Sequence, residues 1–113
     1  LDENSGYQAA RRLLNLTEPP TALIACSDLI ALGALRAVQE AGFQPGAEIA
    51  VSGYDGIPAA ALAHPPLTTL EQPTYHIAGR MVEILLAHLA GKSEPPPDEI
   101  YQPRLILRAS TQS

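Results

Sequence analysis

The spacing of apolar positions changes several times along this chain, and each change marks an element. Tyr7, Ala10, Leu13, Leu14 and Leu16 recur at helical spacing behind Asn4 or Ser5, either of which can cap the first turn. Glu18-Pro19-Pro20 stops that helix. Thr21 to Cys26 is a short, almost unbroken apolar run, the pattern of a strand buried on both faces. Ser27 or Asp28 then caps a second helix that ends near Gly42, a residue suited to the left-handed position after a helix. Its small residues Ala31, Gly33, Ala34 and Ala37 allow another layer to approach closely.

After a loop from Phe43 to Glu48, Ile49 to Ser52 reads as a second buried strand that breaks at Gly53 and delivers Tyr54-Asp55 into a turn. An Ala-rich segment starting near Gly56 or Ile57 predicts a short helix, and His64-Pro65-Pro66 leads into a strand over Leu67 to Leu70. Pro73 opens a long helix in which Ile77, Met81, Ile84, Leu85, His88 and Leu89 form one apolar stripe, and Gly91 closes it. Residues 92–99, with three consecutive prolines, predict a stiff exposed linker. Tyr101 to Arg108 is expected to be a last strand, followed by a frayed tail from Ser110 to Ser113. Strand, helix and strand joined by short links argue for right-handed parallel crossovers, and so for an α/β layer.

Composition narrows the function classes. The chain has 113 residues, 46% hydrophobic and 17% charged, which fits one small globular domain or a piece of a larger one. Its net charge of −5, with seven Lys and Arg, offers no basic surface for nucleic acid. A single cysteine, Cys26, cannot form an internal disulfide, which suits a reducing compartment; set in an apolar run without a neighbouring His or Lys, it reads as a buried structural thiol. No apolar run approaches membrane-spanning length.

Candidate chemistry is sparse. In open parallel sheets, ligands bind outside the carboxyl ends of the strands, and Asp55 stands at such an end. A carboxylate there accepts from two neighbouring hydroxyl or N–H donors, as on a sugar or nucleoside. The same residue also serves as a cap for the short helix that follows. Ser27 and Asp28, at the end of the preceding strand, read equally as capping residues, and Gln72 reads as a solvated hinge residue. His64, His76 and His88 lack metal-ligand spacing, and no phosphate loop, nucleophile elbow or other catalytic constellation is present. The expectation is a protein without metal, cofactor or enzymatic activity.

Val51-Ser52-Gly53-Tyr54-Asp55, followed by Pro65-Pro66-Leu67-Thr68-Thr69, resembles the effector-binding domain of LacI/GalR-type bacterial transcription regulators. Matches continue in order through Pro20-Thr21-Ala22, Ser27-Asp28, Ala31-Leu32-Gly33-Ala34, Gln72-Pro73, Arg104-Leu105 and Arg108-Ala109-Ser110-Thr111. The resemblance implies a parallel-sheet, three-layer α/β lobe of a periplasmic-binding-protein-like domain, present as a carboxyl-terminal fragment. Residues 1–72 would be the carboxyl-terminal lobe without its first strand, and 73–91 a helix belonging to the absent amino-terminal lobe. Residues 92–99 would be linker, and 100–113 the returning strand and tail.

The same resemblance places effector contacts at Asp55, Ser27 and Gln72. At Ser27 the family often has Asn, so this chain has a shorter side chain there. It places a homodimer interface at Leu29, Leu32, Leu35, Arg36, Leu62 and Ala63, consistent with a second helix that is apolar nearly all round. The implied protein is a cytoplasmic sensor of a small, sugar-like effector that meets DNA only through a helix-turn-helix domain absent from this chain. The alternative is a periplasmic sugar-binding protein of a transporter, for which dimer-forming leucines would have no use. The orphaned stripe of the long helix is expected to lie exposed.

Overall fold

The first two helices meet through glycine. α1 (Glu3–Leu14) opens on a capping box in which the Asp2 carboxylate accepts from the Ser5 backbone and the Ser5 hydroxyl accepts from the Asp2 backbone. Asp2, not Asn4 or Ser5, is therefore the cap: Ser5 sits three residues inside, where it completes the box. α2 (Asp28–Glu40) starts on Ser27, whose hydroxyl accepts from Ile30 N at 3.3 Å. Where the helices cross, a Cβ on Gly33 would stand 1.8 Å from the Glu3 carbonyl oxygen, and one on Gly6 would stand 2.1 Å from that of Ile30. The contact is backbone on backbone, so glycine is required at both positions. The computed structural model describes residues 2–92 and 94–112.

The sheet has the order β1 (Ala22–Ile24), β2 (Ala50–Asp55), β3 (Thr68–Glu71) and β4 (Arg104–Ile106). The first three strands are parallel, with α2 and the short α3 (Pro58–Leu62) as crossovers; β4 returns antiparallel beside β3. The layer is thus α/β and mostly parallel. Its last strand is three residues long instead of running from Tyr101 to Arg108: Pro103 has no N–H to donate to a ladder at the start, and beyond the end Arg108 N donates to the Thr68 hydroxyl instead of to a neighbouring strand.

One sheet face carries the core. Leu23 and Val51 pair in register and pack with Ala31, Leu35, Val38 and Leu67, while Ala10 and Leu14 of α1 seal the outer side. The leucine and valine side chains among them each contribute roughly 1.5–3 kcal/mol by leaving water. The opposite face is bare. Register aligns Tyr54, Leu70 and Leu105 across it, and Ile24 is 88% exposed there. The expectation that Thr21 to Cys26 is buried on both faces therefore fails. Alternation along a strand puts Ala22, Ile24 and Cys26 together on the uncovered side, and Cys26 is exposed instead of structural.

The carboxyl-terminal residues hold the sheet's other end. Ala109–Thr111 form a 3₁₀ turn, and Ser110 is fully buried. Its hydroxyl donates to the Val51 carbonyl at 2.6 Å and accepts from Thr68 N at 2.8 Å, bridging β2 and β3 where their own ladder has not begun. Residues 110–112 are therefore an anchored segment and not a frayed tail; Ser113 lies outside the described residues.

α4 (Thr74–Leu89) stands apart. It is about 24 Å long, buries none of its residues, and leaves Met81, Val82, Leu85, Leu86 and Leu89 exposed. With the linker folded back through an Arg80–Glu99 ion pair at 2.6 Å, it stretches the molecule to 59 × 23 × 19 Å. Among the described residues no helix is long and apolar enough to cross a membrane.

Two glycine substitutions separate the packed helices from the free one. Gly33→Ala is expected to destabilise the chain by about 2 kcal/mol or more through overpacking. Gly79→Ala, on α4 with nothing within 4 Å of the new methyl, is expected to stabilise that helix by roughly 0.5–1 kcal/mol. Urea denaturation and helical circular dichroism of the two variants measure both effects.

Candidate functional site

Three connections leave the carboxyl ends of the parallel strands on one edge of the sheet. Ser27 follows β1, Asp55 ends β2 and Gln72 follows β3. Two of the three sequence-predicted contacts are joined: Gln72 Nε2 donates to Asp55 Oδ1 at 2.9 Å, and Gln72 N donates to the Asp55 carbonyl at 3.2 Å. Among the described residues no donor reaches Asp55 Oδ2, and the side chain is half-buried. Ser27 remains the cap of α2 and is joined to neither. Asp55 caps nothing: α3 begins after Ile57 without a side-chain cap, and its Pro58 needs no partner for a missing N–H.

Asp55 is also the one described non-glycine residue with positive φ, at +116°. Such a conformation costs on the order of 1–3 kcal/mol and persists only where its surroundings enforce it. The enforcing group is Asp28. Its Oδ2 accepts from both Gly56 N and Ile57 N at 2.8 Å, and its Oδ1 accepts from the Thr69 hydroxyl at 2.6 Å. Asp28 is completely buried, so the three donors replace the water it has lost. Any one of these donors left unpaired would cost roughly 1–3 kcal/mol. A Cβ on Gly53 would lie 2.2 Å from Asp28 Oδ1, so the carboxylate has its seat because β2 carries glycine there.

Neither Asp28 nor Thr69 stands out in sequence as part of this assembly. Ser27-Asp28 offers two capping residues in succession, and only the three-dimensional arrangement gives the cap to Ser27 and frees Asp28 to turn inward. Register adds a polar row beyond it, Asp55 on β2, Glu71 on β3 and Arg104 on β4, with Arg104 donating to Glu71 at 2.7 Å. Arg104 thus balances the second carboxylate beside Asp55. Among the described residues no group of three or more His, Cys, Asp or Glu side chains converges as a metal site.

The residues expected at a subunit interface lie along α2 and at the end of α3. Leu29, Leu32 and Arg36 share a face of α2 by their spacing; Leu29 and Arg36 are exposed and Leu32 half-buried. Arg36 stacks over the Tyr7 ring at 4.4 Å and pairs with Glu3 at 3.3 Å. Leu62 is 75% exposed at the end of α3 and Ala63 is half-buried. Leu35 is turned into the chain's own core at 3% exposure and presents no surface.

In a mostly parallel α/β layer, the carboxyl ends of the strands are where such folds hold ligands, and here they carry polar residues. The chain belongs to the periplasmic binding protein-like domain family, whose model matches residues 1–111. Within it, the chain is an effector-binding domain of the kind found in LacI-type transcriptional repressors. It is 36% identical over 115 residues to the HTH-type transcriptional repressor PurR of Haemophilus influenzae, covering 99% of this chain and 34% of the repressor. The Lac repressor dimer bound to operator and the anti-inducer ONPF superposes with a TM-score of 0.90 at 33% identity, over 99% of this chain and 39% of that one. The complex of the transcriptional regulator CelR with cellobiose superposes with a TM-score of 0.91 at 33% identity, over 97% and 34%. The chain spans about a third of the length of the curated relatives it matches.

Proposed function

We propose that this chain is the ligand-sensing and dimerisation part of a LacI-type DNA-binding transcriptional regulator, and that its effector is small, polar and sugar-like. The observation that carries the reading is Asp55, held by the Asp28-braced turn with one oxygen on Gln72 and the other without a donor among the described residues. A carboxylate so placed accepts from the vicinal hydroxyls of a sugar. The cellobiose held by one structural neighbour supports that ligand class. Ser27, its hydroxyl already engaged with α2, contributes less than Asp55 and Gln72.

In this reading residues 1–72, with the strand and turn of 100–113, are one lobe. Residues 73–91 form a helix whose bare apolar side belongs against a second lobe, and 92–99 link the two. Effector binding between lobes favours the closed arrangement, and the shift in population changes how paired DNA-binding heads are presented. The chain does no bond-making chemistry. Contact with DNA comes from a helix-turn-helix domain outside these residues, in keeping with a net charge of −5, and the regulator works in the cytoplasm. Leu29, Leu32, Arg36, Leu62 and Ala63 face the second subunit, with Leu35 supporting them from behind.

One lobe alone should hold its ligand weakly, so the test is a nuclear magnetic resonance titration of the 113-residue chain with a panel of sugars and nucleosides. A true effector is expected to shift Asp55, Gly56 and Gln72, and Asp55→Ala is expected to abolish the response. Shifts confined to α4 or to the bare sheet face would reject the assignment. For the interface, the solution mass of the chain is measured with and without Leu32→Glu. A dimer that becomes monomeric supports pairing through α2. A dimer indifferent to the substitution moves the contact to α4, and a chain monomeric throughout removes the dimer argument and favours a transport-type binding protein.

A further inference from the structure

We infer that Thr69 and Asp28 are positioning residues for Asp55, setting the orientation in which its carboxylate meets the effector. The inference rests on the reading of Asp55 as an effector contact. The connection is continuous and short. The Thr69 hydroxyl donates to Asp28 Oδ1 at 2.6 Å, Asp28 Oδ2 accepts from Gly56 N and Ile57 N at 2.8 Å, and Asp55 is the residue immediately before that pair.

Two successive N–H groups pointing at one anion form a nest, and here the anion is internal to the protein. Filling it fixes the peptide between Asp55 and Gly56; with the preceding residues held in the β2–β3 ladder, Asp55 is left to join the two at a φ of +116°. That conformation carries the Asp55 carboxylate to Gln72, 2.9 Å away, at the opening of α4. Thr69 acts one step further back. With Thr69 and Asp28 both completely buried, the hydroxyl is the sole described donor to Oδ1, and without it the carboxylate would be free to rotate off the nest.

Thr69 allows the bond to be separated from the packing. Thr69→Val keeps the side-chain shape and removes the donor, whereas Thr69→Ser keeps the donor and removes a methyl group. In the ligand-free 113-residue chain, three signals report on the turn: amide exchange at Gly56 and Ile57, the HN–Hα coupling of Asp55, and the side-chain amide of Gln72. Thr69→Val is expected to speed exchange at Gly56 and Ile57 by about ten-fold, as loss of one charge-assisted hydrogen bond allows. It should also change the Asp55 coupling and the Gln72 signal, while Thr69→Ser leaves all three near wild type. A residue that merely fills space would affect both variants alike, and equal responses or no response in either overturns the inference. The sugar titration is a separate arm. A valine-specific response in a chain whose titration shifts only α4 or the bare sheet face supports the positioning while sinking the effector reading; ligand shifts at Asp55, Gly56 and Gln72 with no valine-specific response do the reverse.

Discussion

A single buried carboxylate holds the carboxyl-end edge of the parallel strands together. Asp28 lies at the start of α2, yet its hydrogen bonds go to the turn after β2 and to the middle of β3. It therefore ties the first crossover helix to two strands at once. The cost of burying it is met by three donors, by glycine at position 53, and by leaving the helix cap to Ser27. Removing any of these would leave a charge or an N–H stranded away from water. The unusual backbone of Asp55, and its alignment with Gln72, follow from that arrangement.

The rest of the molecule is built unevenly. The α1–α2 side is packed through glycine contacts and a small-residue core, and the sheet's starting edge is closed by Ser110. The opposite sheet face leaves Ile24 and Leu105 exposed, and one side of α4 leaves Met81, Val82, Leu85, Leu86 and Leu89 exposed. Surfaces of this size are uncommon on a chain that works alone. Under the proposed reading they are where further parts of a two-lobed regulator sit, and Gln72 is placed at the crossing between lobes, bonded to the effector carboxylate. A ligand that engages Asp55 would act on that crossing through one hydrogen bond.

Much of this was legible in the residue pattern, and the failures have physical causes. Helices α1, α2 and α4, three strands and the turn at Asp55 follow from periodicity and punctuation. The apolar run from Thr21 to Cys26 does not say whether both faces are covered, and here one is bare. The run from Tyr101 to Arg108 looks like one strand, but Pro103 delays its ladder. Ser110 reads as a tail residue because a serine there has no local signal of burial; its partners, Val51 and Thr68, are distant in sequence. Asp28 was hidden for the same reason. As one of two adjacent capping residues, it could not be distinguished from Ser27 until the turn it serves, 28 residues away, was in place. The position of Asp55 and Gln72 at the carboxyl ends of β2 and β3 follows from the residue pattern, but their mutual bond does not.

The most direct test is a crystal structure of the two-lobed regulator that the proposed function implies, with its effector bound. Effector hydroxyl or N–H groups are expected within hydrogen-bond distance of the Asp55 carboxylate, with Gly56 and Ile57 still donating to Asp28. An effector seated elsewhere, with Asp55 bonded only to Gln72, would contradict the proposal.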